Sequence, residues 1–187
     1  MVLREQIEKY IPSCEQEVRD KEVILRCMDT FNDLLVRDNE LCHFTASIWA
    51  VNEARTKTLM AYHNLYDSWA WTGGHADGEE NLKEVALREL QEETGVKNIK
   101  LVTENILALD VLHVERHIKK GKFVPSHLHL NLTYLIEVDE NDELKIKEDE
   151  NQGVKWFLID EIFNVVKEEG MKKVYSKLIE KVKLMEE

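Results

Sequence analysis

The chain has 187 residues and a formal charge of −12, with 43% hydrophobic and 33% charged residues, seven Gly and two Pro. Apolar residues in this proportion along the whole length exclude wholesale disorder and collagen-like repeats, and predict one globular unit with a sizeable core. No run approaches the roughly 20 apolar residues of a membrane span, and the acidic balance argues against nucleic acid as a partner, which needs a basic footprint.

The first forty residues have a helical pattern distinct from the rest of the chain. Leu3, Ile7 and Tyr10 share one helical face, Pro12 and Ser13 punctuate with Ser13 placed as an N-cap, and Val18, Ile24, Leu25, Met28, Phe31, Leu34 and Leu35 continue an apolar stripe. This predicts a helical extension over residues 1–40, a hairpin or one long helix beside a short one, followed by the main domain over 41–187. The stripe packs against that domain, or forms a homodimer interface, or serves as a lid over a site. Arg4, Glu5, Glu8 and Lys9 leave no apolar signal core at the start, so a cytoplasmic location is expected. Cys14, Cys27 and Cys42 are odd in number and lie in no metal-like pair, which suits reduced thiols acting as small buried hydrophobes.

From His43 the texture turns strand-like. Phe44 to Val51 and Thr58 to His63 predict two adjacent strands joined by a turn at Asn52 to Arg55. Ile99 to Val114 contains β-branched and Leu-rich runs. His127 to Val138 alternates Leu128, Leu130 and Leu132 against His129, Asn131 and Thr133, the pattern of a half-buried strand. Val154 to Ile159 predicts one more strand, followed by a helix from about Asp160 and a charged helix from about Met171 to Glu186.

The informative segment lies between the second strand and Ile99. Trp71 to Glu80 predicts a loop and Asn81 to Val96 a helix, with Asn81 and Glu84 as a capping box and Gly95 as a left-handed C-cap. Leu82, Val85, Ala86 and Leu90 form its buried stripe, and Val96 returns to the core. Glu89, Glu92 and Glu93 stand at i, i+3 and i+4, which places three carboxylates on one face within a turn. Such a cluster repels itself unless it is solvated or holds cations, and hard oxygen ligands suit Mg²⁺ or Mn²⁺.

Gly74, Glu80, Arg88, Glu89, Leu90, Glu92, Glu93, Gly95 and Val96 fall at the spacing of the Nudix box, and a chance match is below roughly one in a million. The chain therefore resembles the Nudix hydrolases. The box covers 23 residues, and the strand pattern from about His43 to Ile162 is similar to the rest of a Nudix domain. The resemblance implies an α/β/α sandwich with a mixed sheet, and Mg²⁺-dependent hydrolysis of a diphosphate joined to a nucleoside, as in a nucleoside triphosphate, a nucleotide sugar or ADP-ribose. A binding or regulatory module that holds such a ligand without cleaving it is the alternative.

On that resemblance Glu89 and Glu93 are the principal metal ligands, Glu92 a further ligand or base, and the Gly74 carbonyl completes the coordination. Arg88 holds a glutamate by a charge-assisted hydrogen bond, and Glu80 ties the loop to the helix. Gly73, Gly74 and Gly78 let the loop approach closely. Glu115, Glu148 and Glu150 are the candidates for the base outside the box, in place of a box glutamate, and Gly153 stands where relatives often carry Glu. Thr72 departs from the common Pro, and His75 is either a substrate-touching or an ordinary loop residue. His127 and His129 share a strand face and stand as ligand-facing residues. Tyr66, Trp69 and Trp71 stack on a base or pack in the core.

Overall fold

The computed structural model describes residues 2–64, 67–119, 121–147 and 151–185. The chain begins with two helices, α1 (Leu3–Lys9) and α2 (Glu15–Thr30). The residue in the N-cap position of α2 is Cys14, which makes no side-chain cap bond; Ser13, one residue earlier, directs its N–H and hydroxyl onto Glu17 Oε2 at 2.8 and 3.1 Å. Helix α2 ends at Thr30, so Leu34 and Leu35 belong to turns rather than to the helical stripe. Asn32 and Asp33, residue types that favour turns, follow just after the stop.

The strands come in order: β1 (Cys42–Val51), β2 (Lys57–His63), β3 (Ser68–Ala70) and β4 (Thr72–His75), then helix α3 (Leu82–Thr94). After it come β5 (Ile99–Leu101), β6 (Ala108–Val114), a hairpin of β7 (His117–Lys119) and β8 (Lys122–Val124), β9 (His127–Val138) and β10 (Asn151–Leu158). A 3₁₀ turn leads into α4 (Ile162–Val165), and α5 (Glu169–Leu184) ends the described chain. The main sheet runs β10-β2-β1-β9-β5, with β4 on β1, β3 on β2 and β6 on β9. It is mixed: β1 and β9 are parallel through ten registered pairs from Cys42–Leu128 to Val51–Glu137, and the other pairings are antiparallel.

Alternation along β1 sorts the two faces of the sheet. Phe44, Ala46, Ile48 and Ala50 join Leu82, Val85, Ala86 and Leu90 of α3 and Leu3, Ile7 and Ile24 of α1 and α2 in one core. Trp49 and Val51 join Ile162, Tyr175, Leu178 and Val182 in the other. Helices thus cover both sides, as an α/β/α sandwich requires. Each buried Val, Leu, Ile or Phe among them contributes about 1.5–3 kcal/mol.

His43, Thr45 and Ser47 share parity with Trp49 but are polar and buried. The expected half-exposed face of β9 is buried as well, because helices close both sides. Its polar residues are satisfied internally: Thr45 and Ser47 hydroxyls each donate to Asn131 Oδ1 at 2.9 Å, and Asn131 donates to Thr133. Of the thiols, only Cys42 is buried, and burial raises it to about 12; Cys14 is exposed and Cys27 intermediate. None of the described helices is long and apolar enough to cross a membrane.

The outer edge of β6 would present unpaired backbone, a template for edge-to-edge aggregation. It is covered instead by side chains. Val111 N–H donates to Asp20 on α2 at 2.8 Å, Leu107 O accepts from Lys181 at 2.8 Å and from the Tyr10 hydroxyl, and Leu109 O accepts from Lys177. Glu17, fully buried, lies 2.7 Å from Lys181 and 3.3 Å from Lys177, so the helical extension is locked to α5 by charge.

Candidate active site

The first half of the glycine-rich segment is a strand, not a loop. Thr72–His75 pairs with β1 through Ile48–Thr72, Ser47–Gly73, Ala46–Gly74 and Thr45–His75. Small residues are required there: a Cβ on Gly73 would sit 2.5 Å from Ala46 O, and one on Gly74 would sit 2.5 Å from Glu89 Cδ. Gly78 has open space around it but a φ of +93°, so it serves the turn and not a close approach.

Helix α3 rises from that turn. Asn81 occupies its N-cap position without a side-chain bond, and the reciprocal box with Glu84 does not form; Glu79 Oε1 accepts the Asn81 N–H instead, at 2.8 Å. Gly95, at φ +74°, closes the helix as expected, its N–H on Gln91 O. Glu89 and Glu93 project from the last two turns toward Gly74 and Gly73 respectively. Glu93 is buried, and its Oε1 accepts the Gly73 N–H at 3.0 Å. Asn151 of β10 donates to the Glu93 carbonyl at 3.1 Å, which pins the end of the helix. Glu92 is half exposed, with Lys147 Nζ at 3.1 Å.

Arg88 lies 3.8 Å from Glu89 and 4.0 Å from Glu92, which are ion-pair separations and not the expected hydrogen bond. Adjacent helical residues point about 100° apart, so Arg88 cannot lie flat on Glu89. Glu80 is exposed and lines a groove beside Gln6 and Asn81; the tie in this loop is made by Glu79. Glu115 is exposed beside His113. Tyr66, Glu148 and Glu150 lie outside the described residues. Trp69 packs edge-on to Phe157 and Tyr62 and fills the space over Gly153, which explains the glycine there; Trp71 packs against Tyr175.

On the opposite sheet face, His75 is no loop residue. It stands on β4 among His43, His127 and His129, with ring centroids 4.8–5.2 Å apart for the neighbouring pairs. These four line a cleft of about 230 Å³ whose other walls include Arg37, Lys119 and Phe123 of the β7–β8 hairpin. Burial, then the charge of Arg37 and the neighbouring imidazoles, drives His75 down to about 2. Burial, then the neighbouring imidazoles, does the same to His129, and His43 is lowered chiefly by burial. Arg37 is held by Asp77, its Nε 2.7 Å from Oδ1. His43, Arg37 and Lys147 were not legible as site residues. The signal for His43 is its parity with Thr45 and Ser47, which becomes readable only once β1 is known to lie beside His129.

The sequence matches the NUDIX domain over residues 42–181, from the start of β1 into α5. The chain belongs to the Nudix family. It is 34% identical over 105 residues to the asymmetrical bis(5′-nucleosyl)-tetraphosphatase of Rattus norvegicus; the alignment covers 56% of this chain and 65%, just under two thirds, of that protein. Among solved structures, the binary complex of the C. elegans Ap4A hydrolase aligns with TM-score 0.55 at 18% identity, over 76% of this chain and 96% of that one. A NUDIX-family hydrolase from Clostridium perfringens aligns with TM-score 0.55 at 20% identity, over 74% and 96%. Both likenesses are of fold.

Proposed function

We propose that the chain is a Mg²⁺-dependent pyrophosphohydrolase that cleaves a diphosphate linkage in a small nucleoside diphosphate derivative. One observation carries this reading: Glu89 and Glu93 converge on the Gly73–Gly74 backbone, where a Cβ would clash, and Glu92 stands between them in sequence on the same helix. A hard divalent cation fits that donor set, which offers carboxylate oxygens and no sulfur or nitrogen ligand. Magnesium or manganese held there would neutralise the phosphate oxygens and acidify a bound water.

The chain's own residues prepare that chemistry. Gly73 N–H fixes Glu93, and the missing Cβ at Gly74 keeps Glu89 against the backbone. Arg88 and Lys147 offset the mutual repulsion of the carboxylates. Glu92, the most exposed of the three, is our choice for the group that accepts a proton from the attacking water. The histidine cleft adjoins Gly74 through His75, and Arg37 and Lys119 on its walls suit a phosphate-rich ligand.

A dinucleoside polyphosphate leads the substrate panel because a tetraphosphatase is among the relatives. The test is incubation of the full chain with Mg²⁺ and dinucleoside polyphosphates, nucleoside triphosphates, nucleotide sugars and ADP-ribose, with products identified by mass. Cleavage at a P–O–P linkage supports the reading. Tight binding with no cleavage of any member replaces the enzyme with a binding module. We further propose that residues 1–40 are a structural extension of a cytoplasmic catalytic unit.

A further inference from the structure

We infer that His43, His75 and His129 form a second metal site, one for a late first-row divalent ion of the Zn²⁺ class, on the sheet face opposite α3. The residues come from three strands that the fold brings side by side. His43 and His129 are registered partners on parallel β1 and β9, and His75 on β4 faces Thr45, two residues along. One ligand nitrogen from each of the three lies within 4.8 Å of the other two.

The tautomers point the same way. A carbonyl can only accept, so His43 Nδ1–H donates to Asn39 O at 2.9 Å, which leaves Nε2 as a bare lone pair. That Nε2 is buried and has no hydrogen-bond partner. An unsatisfied buried acceptor is costly, and a ring whose far nitrogen is tied to a backbone carbonyl is the usual arrangement of a metal-bound imidazole. His127 repeats it: Nδ1–H donates to Pro125 O at 2.9 Å, and its Nε2 lies 3.2 Å from His129 Nε2. With Zn–N distances near 2.0–2.1 Å, two ligands of one tetrahedral ion stand roughly 3.3 Å apart. The His127–His129 pair has that spacing, while the three nitrogens that all lie within 4.8 Å of one another are those of His43, His75 and His129.

The ligand set selects the ion. Imidazole without oxygen donors suits Zn²⁺, Ni²⁺, Co²⁺ or Cu²⁺ and disfavours Mg²⁺, which the carboxylates of α3 would take. Of the nearby cations, Arg37 is already matched by Asp77; Lys119 also lines the cleft. The inference stands whether or not the chain hydrolyses anything.

The experiment is titration of the metal-stripped full chain with Zn²⁺ by calorimetry, and with Co²⁺ by visible absorption, in excess Mg²⁺ to occupy the carboxylate face. One equivalent is expected, with the strong d–d bands of tetrahedral Co²⁺. His75→Gln and His129→Gln should each weaken binding by more than about 100-fold, beyond the loss typical of a merely supporting residue. Glu89→Gln and Glu93→Gln should leave it intact. X-ray absorption at the zinc edge of the unmutated protein should show three or four imidazole nitrogens, a readout that needs no variant to fold. Absence of a stoichiometric site, an oxygen-only shell, or affinity that follows the glutamate variants and ignores the histidine ones would overturn the assignment.

Discussion

A Cβ on Gly74 would lie 2.5 Å from Cδ and 2.6 Å from Oε1 of Glu89, so the box glycine and the first of the three clustered glutamates on α3 are in contact through a space that only hydrogen can fill. Gly74 is fixed by its pairing to Ala46 in the sheet, whereas the clashing atoms of Glu89 are the end of a flexible side chain, so Glu89 is the partner that yields. Gly74→Ala should therefore turn Glu89 away while the sheet survives. We expect kcat to fall about 100-fold or more, with thermal unfolding changed by only a few degrees. An alanine variant of unchanged kcat would show that Glu89 need not touch this backbone.

Glu93 depends on Gly73 in a different way. Its buried Oε1 accepts the Gly73 N–H, a bond that Gln can also accept, so Glu93→Gln removes charge and keeps geometry. Turnover should drop by at least about two orders of magnitude with little change in fold. Glu92→Gln, on the exposed side, should cost a comparable factor if it takes the proton. Steady-state kinetics beside circular dichroism separates loss of charge from loss of structure.

Chelation offers a check independent of turnover. Excess EDTA should abolish hydrolysis, and Mg²⁺ or Mn²⁺ should restore it. Because a ligand that binds only the native state stabilises it by mass action, Mg²⁺ should also raise Tm. That rise should vanish in Glu93→Gln. Chelator-resistant hydrolysis would contradict a carboxylate-held metal.

The box was legible because its spacing constrains a single helix, and local periodicity reports a helix faithfully: the buried stripe of α3 and the Gly95 cap are where the pattern puts them. The pairing of distant strands has no local signal. Nothing near His43 announces that it lies beside His129, and His75 read as a loop residue because two glycines before it suggest a turn. In fact those glycines admit a strand pressed between β1 and α3. The outward-looking half of β9 misled for a related reason: alternation reports polarity, and here the polar side is buried under hydrogen bonds from Thr45 and Ser47.

Removing residues 1–40 tests how far the extension is part of the core. Leu3, Ile7 and Ile24 are buried in the cluster that contains α3, and α2 and α5 together satisfy the free edge of β6. Their loss removes about 1.5–3 kcal/mol for each of three aliphatic side chains and opens an aggregation-prone edge. A fall in Tm on the order of 10 °C or more, with concentration-dependent aggregation, is expected. A truncated chain that stays monodisperse and melts with the full protein would show the contacts to be incidental.

Glu17 gives that attachment a pH signature. Burial alone would raise its carboxyl, but the Lys181 ammonium, the Ser13 N–H and the Tyr10 hydroxyl hold it below its ordinary value of 4.5. A carboxyl lowered by folding adds stability above its unfolded value, and that contribution is lost as pH falls through the folded one. Asp110 has the opposite sign: burial outweighs Lys177 and pushes it up to about 6, so its contribution is present below 3.8 and lost as pH rises through 6. Glu17→Gln should cost about 3 kcal/mol at neutral pH, since it leaves Lys181 buried beside a neutral partner. The gap between variant and wild type should begin to narrow below 4.5 and close as pH falls through the lower folded value, beneath which both carry an uncharged group at this position. Denaturant unfolding of the two proteins from neutral pH down to about 3 measures the gap directly, and a difference that stays constant across that range would mean that Glu17 acts through packing and not through charge.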